Sequence, residues 1–281
     1  MKRVLLTSSL ALALFASAAS AQDRILSLGS STTEILFAIG AGDKVVARDS
    51  TSTYPAEVES LPDIGYLRAL SPEGVLSVNA DMIIAEHDAG PVETIDVLKA
   101  ASIPWISLPA GWSAEQIVAN IRTVGEASHH VAEAEALATE VEAQLAAAAT
   151  AAASVPATAR KRVMFIISTQ GGRVMAAGQN TGGDTIIGMA GAVNAIQGVD
   201  GYKPLTDEAI ATAAPDVILM MDRGHDLDAA NSDLFAIAPL AATPAGQNQA
   251  VIRMDGAYLL GFGPRAGAAA LELHNTLYGG N

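Results

Sequence analysis

Two stretches of this chain carry nearly the same message. The first is Gly65-Tyr66-Leu67-Arg68-Ala69-Leu70-Ser71-Pro72-Glu73, leading to Asp81-Met82-Ile83-Ile84. The second is Gly201-Tyr202-Lys203-Pro204-Leu205-Thr206-Asp207-Glu208, leading to Asp216-Val217-Ile218-Leu219. Each offers Gly-Tyr, a Leu, a Ser or Thr that can cap a helix, a Glu in the first turn, and then an Asp before an apolar strand. Glu73 to Asp81 spans eight residues, as does Glu208 to Asp216. An internal echo at this distance predicts two similar lobes, and a cleft between lobes is a common ligand site.

The surrounding pattern gives the fold class. Strands are expected at 24–28, 45–47, 82–85 and 105–108, and again at 163–167, 217–221 and 251–254. Between them lie helical segments, the first at Glu34 to Gly40 after a polar turn, Gly29-Ser30-Ser31-Thr32-Thr33, and its counterpart at 184–191. Strands alternating with helices imply an α/β fold with a mainly parallel sheet in each lobe. From His129 to Val155 apolar residues recur at Val131, Ala134, Leu137, Val141, Leu145 and Ala148, which is one face of a helix. Ala and Glu, both strong helix formers, dominate this segment, and Pro156 stops it. The expected organisation is therefore an N-terminal lobe at 22–128, one long rigid connecting helix at 129–156, and a C-terminal lobe at 157–281.

Residues 1–21 are expected to be a signal peptide. Lys2 and Arg3 precede an apolar run from Val4 to Ala16, and Ala19-Ser20-Ala21 offers a cleavage site. With no cysteine among 281 residues, disulfides, thiolate metal sites and a lipidated cysteine are all excluded. A periplasmic, soluble, unlipidated monomer is the expectation. The net charge of −14 argues against a nucleic-acid partner. No Gly-x-Ser-x-Gly elbow surrounds Ser30-Ser31, and no paired catalytic carboxylates or phosphate loop marks an enzyme. The histidines show no spacing that would mark a zinc or manganese site.

Four runs of the mature chain, "ILSLGSSTTEILFAIG" (25–40), "GYLRALSPEGV" (65–75), "MAAGQNT" (175–181) and "YKPLTDE" (202–208), resemble the helical-backbone substrate-binding proteins of ABC importers. The Gly-Tyr-x-Arg-x-Leu-Ser-x-Glu-Gly run is similar to their periplasmic haem-binding branch. The resemblance implies haem b as the transported ligand and an inner-membrane permease as the partner. Cobalamin or a ferric siderophore is the alternative cargo within the same fold.

Ferric haem asks for an axial iron ligand, apolar walls for the ring, and groups for two propionates. Tyrosine is one of the recognised axial ligands. The resemblance puts Tyr66 in that role, after Gly65 in a loop leading to a helix cap. Arg68, two residues on, and Arg223 are the cations that would favour the phenolate or meet a propionate. Tyr202 is the counterpart of Tyr66, with stacking, hydrogen bonding or a second axial bond open to it, and Lys203 adds charge beside it. His225, after Arg223-Gly224, and His87, after Glu86, occupy matching places beyond strands. Thr169, Gln170, Gln179 and Asn180 are the candidate polar cleft residues. Some haem-branch relatives carry a histidine in the second lobe's first loop; Ser168 to Gly172 has none. Glu73 and Glu208 each sit where a helix dipole favours an acid. The resemblance gives them a second task, docking one lobe each against permease arginines.

Overall fold

The structure, a computed structural model, describes residues 24–222 and 227–279. The first half runs β1 (Ile25–Leu28), α1 (Ser30–Ala38), β2 (Val45–Arg48), α2 (Pro72–Ser77), β3 (Met82–Ala85), α3 (Val92–Ala100), β4 (Trp105–Ser107) and α4 (Ala114–Ser128). Helix α5 (Val131–Ser154) follows. The second half begins β5 (Arg162–Ser168), β6 (Met175–Ala177), α6 (Gly182–Met189), β7 (Val193–Asn194), β8 (Tyr202–Pro204), α7 (Asp207–Ala213) and β9 (Val217–Asp222). It ends α8 (Leu227–Phe235), α9 (Ala238–Ala241), α10 (Pro244–Gln247), β10 (Val251–Asp255), α11 (Gly256–Leu260) and α12 (Ala266–Tyr278). Among the described residues no helix is long and apolar enough to cross a membrane.

Each half builds its own sheet. The first is wholly parallel, in the order β2-β1-β3-β4. In the second, β10, β9 and β5 run parallel, with the short β7 also beside β5. Its far edge differs: β6 lies antiparallel to β5, and β8 antiparallel to β6. The α/β class with two similar lobes is therefore present, and the second sheet is mixed.

The echo in the sequence has a structural counterpart at atomic detail. Asp81 Oδ2 accepts the backbone N–H of Arg24, at 2.9 Å, where β1 begins. Asp216 Oδ2 accepts the backbone N–H of Arg162, at 2.8 Å, where β5 begins. Each arginine then reaches back to the end of the short helix. Arg24 donates to the carbonyls of Val78 and Asn79, and Arg162 to that of Ala213. These bonds satisfy helix-terminal carbonyls that have no partner inside the helix. The repeated Asp is thus a clamp joining the short helix and the central strand of each lobe.

Helix α1 starts four residues before the expected Glu34. Ser30, Ser31, Thr32 and Thr33 are helical and buried. Hydroxyls in a helix usually compete with the backbone. Here two of the four find tertiary partners: Thr33 Oγ1 bonds Ser27 Oγ and Ser52 Oγ at 2.7 Å each, and Ser31 Oγ donates to Glu86 at 2.8 Å.

Helix α5 covers the expected connecting segment from Val131 to Ser154 and packs on both halves. A Cβ on Gly125 of α4 would collide with that of Ala134 of α5, so these helices meet backbone to backbone. On the other side, a Cβ on Gly267 of α12 would stand 2.8 Å from the carbonyl carbon of Gln144. The buried face Ala134, Ala138, Val141, Leu145 and Ala148 joins one core that also holds Ile25 and Ile35 from the first half and Phe165 and Leu273 from the second. Small residues on this face let two layers approach closely. Glu34 of α1 and Arg265, just before α12, add a bidentate ion pair across the halves, at 2.9 and 2.5 Å. Only 5% of the Glu34 side chain is exposed.

Candidate functional site

The carboxyl ends of the parallel strands of both sheets converge on one cavity. Ser30 lies just beyond β1, Thr51 and Thr53 beyond β2, and Glu86 beyond β3. From the second half come Ile167 near the end of β5, Met221 near the end of β9, and Asp255 and Gly256 at the end of β10. Ligands in open α/β sheets bind at this edge. The cavity measures about 680 Å³, within the range of small-molecule sites. Leu67, Ile167, Met221 and Leu260 give it apolar walls, with polar groups between them. A smaller cavity of about 180 Å³ shares Arg68, Glu86 and Tyr202 with it and extends towards Trp112 and Phe262.

Tyr66 stands on the turn before a short 3₁₀ segment, Leu67–Ala69. Gly65 supplies the bend with φ of 97°, a conformation that favours glycine. Tyr66 is 43% exposed, large for an aromatic residue, and it lines the larger cavity. Arg68 Nη1 donates to the Tyr66 hydroxyl, and Arg68 Nη2 donates to Asp88 Oδ2. Burial works against the charge on Arg68. The bonds to Tyr66 and Asp88 outweigh it, so its pKa stands above the ordinary arginine value. The other Asp88 oxygen, Oδ1, is buried with no hydrogen-bond partner among the described residues.

Tyr202 opens β8 and lines both cavities from the opposite half. Its setting differs from that of Tyr66. It is half-buried, its ring meets Phe165 edge-on at 6.5 Å, and its hydroxyl accepts a long hydrogen bond from the Gly183 N–H, at 3.4 Å. Burial raises its pKa above the usual phenol value, so it stays neutral at neutral pH.

Glu86 is a carboxyl the sequence did not single out. Its Oε1 accepts from the N–H and the hydroxyl of Ser31, at 2.9 and 2.8 Å. Burial pushes its pKa up to about 7, the Ser31 bonds oppose this, and Asp88 and Asp49 push further upward. Asp49 is fully buried and organises the neighbouring loop. It accepts from the N–H of Gly29, from the N–H and hydroxyl of Thr51, and from the hydroxyl of Ser52.

Other residues singled out from the sequence stand elsewhere. Thr169 and Gln170 lie just past β5 in a 3₁₀ turn, and they do not line either cavity. Gln179 pairs through its backbone with Asp200, and the Asn180 amide donates to Asp200 at 2.7 Å. Both are exposed and outside the cavity lining. Lys203, on β8, is exposed and outside it too. Arg223 and His225 lie outside the described residues. His87 is exposed and lines the smaller cavity. Glu73 and Glu208 are exposed in the first turns of α2 and α7, with no ion-pair partner among the described residues. Their caps match: Ser71 Oγ accepts from the Gly74 N–H at 3.0 Å, and Thr206 Oγ1 from the Ala209 N–H at 3.2 Å. Among the described residues no group of three or more His, Asp or Glu stands together to hold a bare metal ion.

Nine-tenths of the chain is similar to solved binding proteins. The periplasmic heme-binding protein BhuT, solved in complex with two hemes, superposes with a TM-score of 0.85 at 38% identity, over 90% of this chain and 97% of its own. The periplasmic heme-binding protein RhuT from Roseiflexus sp. RS-1, in apo form, gives 0.84 at 39% identity, over 92% of this chain and 98% of its own. In sequence, the uncharacterized ABC transporter substrate-binding lipoprotein YvrC of Bacillus subtilis is 28% identical over 201 residues, 71% of this chain. A vitamin B12-binding protein of Pectobacterium atrosepticum is 30% identical over 122 residues, 43% of this chain. The matched stretches span 63% and 43% of these two relatives' lengths. Residues 25–258 match the model of one protein family, and the chain belongs to that family, the periplasmic binding proteins.

Proposed function

We propose that this chain captures haem between its lobes and delivers it to an ABC importer. The observation that carries the reading is Tyr66. It is an exposed phenol on the wall of a 680 Å³ inter-lobe cavity, and an arginine donates to its hydroxyl. Tyrosinate is a hard anionic ligand suited to Fe(III), and the Arg68 guanidinium offers its oxygen a charge-assisted hydrogen bond. Apolar walls suit the ring. The similarity to BhuT and RhuT at 38% and 39% identity supports the same cargo class. Haem brings the iron and the visible spectrum; this chain's part is to supply the phenol oxygen, hold the charge beside it and exclude water from the ring.

Tyr202 serves in this reading as a neutral wall and hydrogen-bonding group facing Tyr66. Arg223 is the cation assigned to the propionates. Thr169, Gln170, Gln179 and Asn180 remain proposed polar contacts to the cargo, although none of them lines the cavity. The lobes divide at 22–128 and 157–281, with 129–156 between them. Glu73 and Glu208 dock the two lobes on the permease; reversing both charges should abolish transport and leave haem affinity unchanged. The protein works as an unlipidated periplasmic monomer once residues 1–21 are removed.

The vitamin B12-binding relative favours a second cargo, cobalamin. Titrations of the full chain with hemin and with cyanocobalamin separate the two. The haem reading predicts new visible bands at one equivalent of hemin and no retention of cyanocobalamin. Retention of cyanocobalamin, with hemin spectra unaltered by the protein, would overturn it.

A further inference from the structure

We infer that Asp88 is a positioning residue that fixes Arg68 on the Tyr66 hydroxyl and keeps it from turning to other anions. The inference rests on the haem reading above. Arg68 is a long side chain, and half of it is exposed. Left alone, it would sample many rotamers. Its two terminal nitrogens have different partners: Nη1 meets the Tyr66 hydroxyl and Nη2 meets Asp88 Oδ2. The guanidinium is planar, so holding one nitrogen aims the other.

Asp88 can do this because its loop is tied to the turn it serves. The Gly90 N–H donates to the Leu67 carbonyl, and the Leu70 N–H donates to the Gly90 carbonyl, both at 2.8 Å. The segment carrying Asp88 and the segment carrying Tyr66 and Arg68 therefore move as one piece. The placement also has a stability cost. Among the described residues Asp88 Oδ1 is buried without a partner, and an unsatisfied buried oxygen is unfavourable. With both terminal nitrogens engaged, Arg68 is committed to the phenol, and cargo carboxylates must find another cation.

Hemin titrations of the full chain, followed by visible absorbance, test this with Asp88→Ala, Asp88→Asn, Arg68→Ala and the Asp88→Ala/Arg68→Ala double variant. Asp88→Ala and Arg68→Ala should each weaken hemin binding by about tenfold, the scale of one charge-assisted hydrogen bond. Both should move the tyrosinate-to-iron charge-transfer band to the same position. The double variant should bind no more weakly than either single one. Asp88→Asn keeps an acceptor and should recover most of the affinity. An Asp88→Ala protein matching wild type in affinity and band position overturns the inference, and so do losses that multiply in the double variant. If circular dichroism shows Asp88→Ala unfolded, Asp88→Ser takes its place. Should wild type give no hemin spectrum, or Tyr66→Ala give an unchanged one, the haem reading falls and this inference with it. A silent Asp88→Ala beside a responsive Tyr66→Ala removes only the role of Asp88.

Discussion

Glu86 shows how a residue's surroundings, rather than its neighbours in sequence, decide its chemistry. Its bonding partner Ser31 lies 55 positions away, on the first turn of α1. No local motif could have pointed to it. The same holds for Asp88, whose partner Arg68 is 20 positions away. Tyr66 and Arg68 were legible because both sit in one short motif. Glu86 also carries a pH signature. Its carboxyl has a usual value of 4.5 and titrates in the fold at about 7. Between those values the folded state holds a proton that the unfolded state has released, so this group makes stability fall as pH rises through that window. Glu86→Gln should remove the fall and leave the variant more stable above pH ~7, by up to about 3 kcal/mol. Urea titrations of both proteins across that range check it.

At the scale of elements, the seven expected strands lie within a residue of those found, and the connecting helix within two. The misses have physical causes. The run Ser30 to Thr33 reads as a turn by propensity, but its hydroxyl partners in the tertiary fold let it be helical. The antiparallel strands β6 and β8 are three residues each, too short for an alternating pattern to register. The echo itself was legible, while its Arg members were not, because Arg24 and Arg162 stand at strand starts well upstream of it. Their equivalence predicts that Asp81→Ala and Asp216→Ala lose similar amounts of stability, about 1 kcal/mol each. Denaturant midpoints compare the two directly. Where α4 and α5 touch, Gly125→Val should cost about 1–3 kcal/mol or more by overpacking against Ala134. The shift in thermal midpoint measures it.

The two-lobed plan of the whole molecule followed from the echo and the long helical segment. How the lobes are held did not. Helix α5 shares its buried face with both halves, and the Glu34–Arg265 pair joins residues 231 positions apart. The Arg265 guanidinium also stacks over the Tyr54 ring at 3.7 Å. Burial raises the Glu34 pKa, and the bonds from Arg265 only partly offset this. Removing the cation leaves a buried carboxylate alone, which costs about 3–5 kcal/mol. Arg265→Met should therefore be strongly destabilised at neutral pH and less so in acid, where Glu34 is protonated in both states; chemical denaturation at the two pH values tests this. A tie of this kind favours small lobe movements around a preformed cleft. The central claim is that this cleft holds ferric haem through the Tyr66 oxygen, and the most direct measurement is the visible spectrum of hemin bound to wild type and to Tyr66→Ala. The account predicts a tyrosinate-to-iron charge-transfer band in wild type that is lost in Tyr66→Ala. The same band at the same strength in both proteins would contradict it.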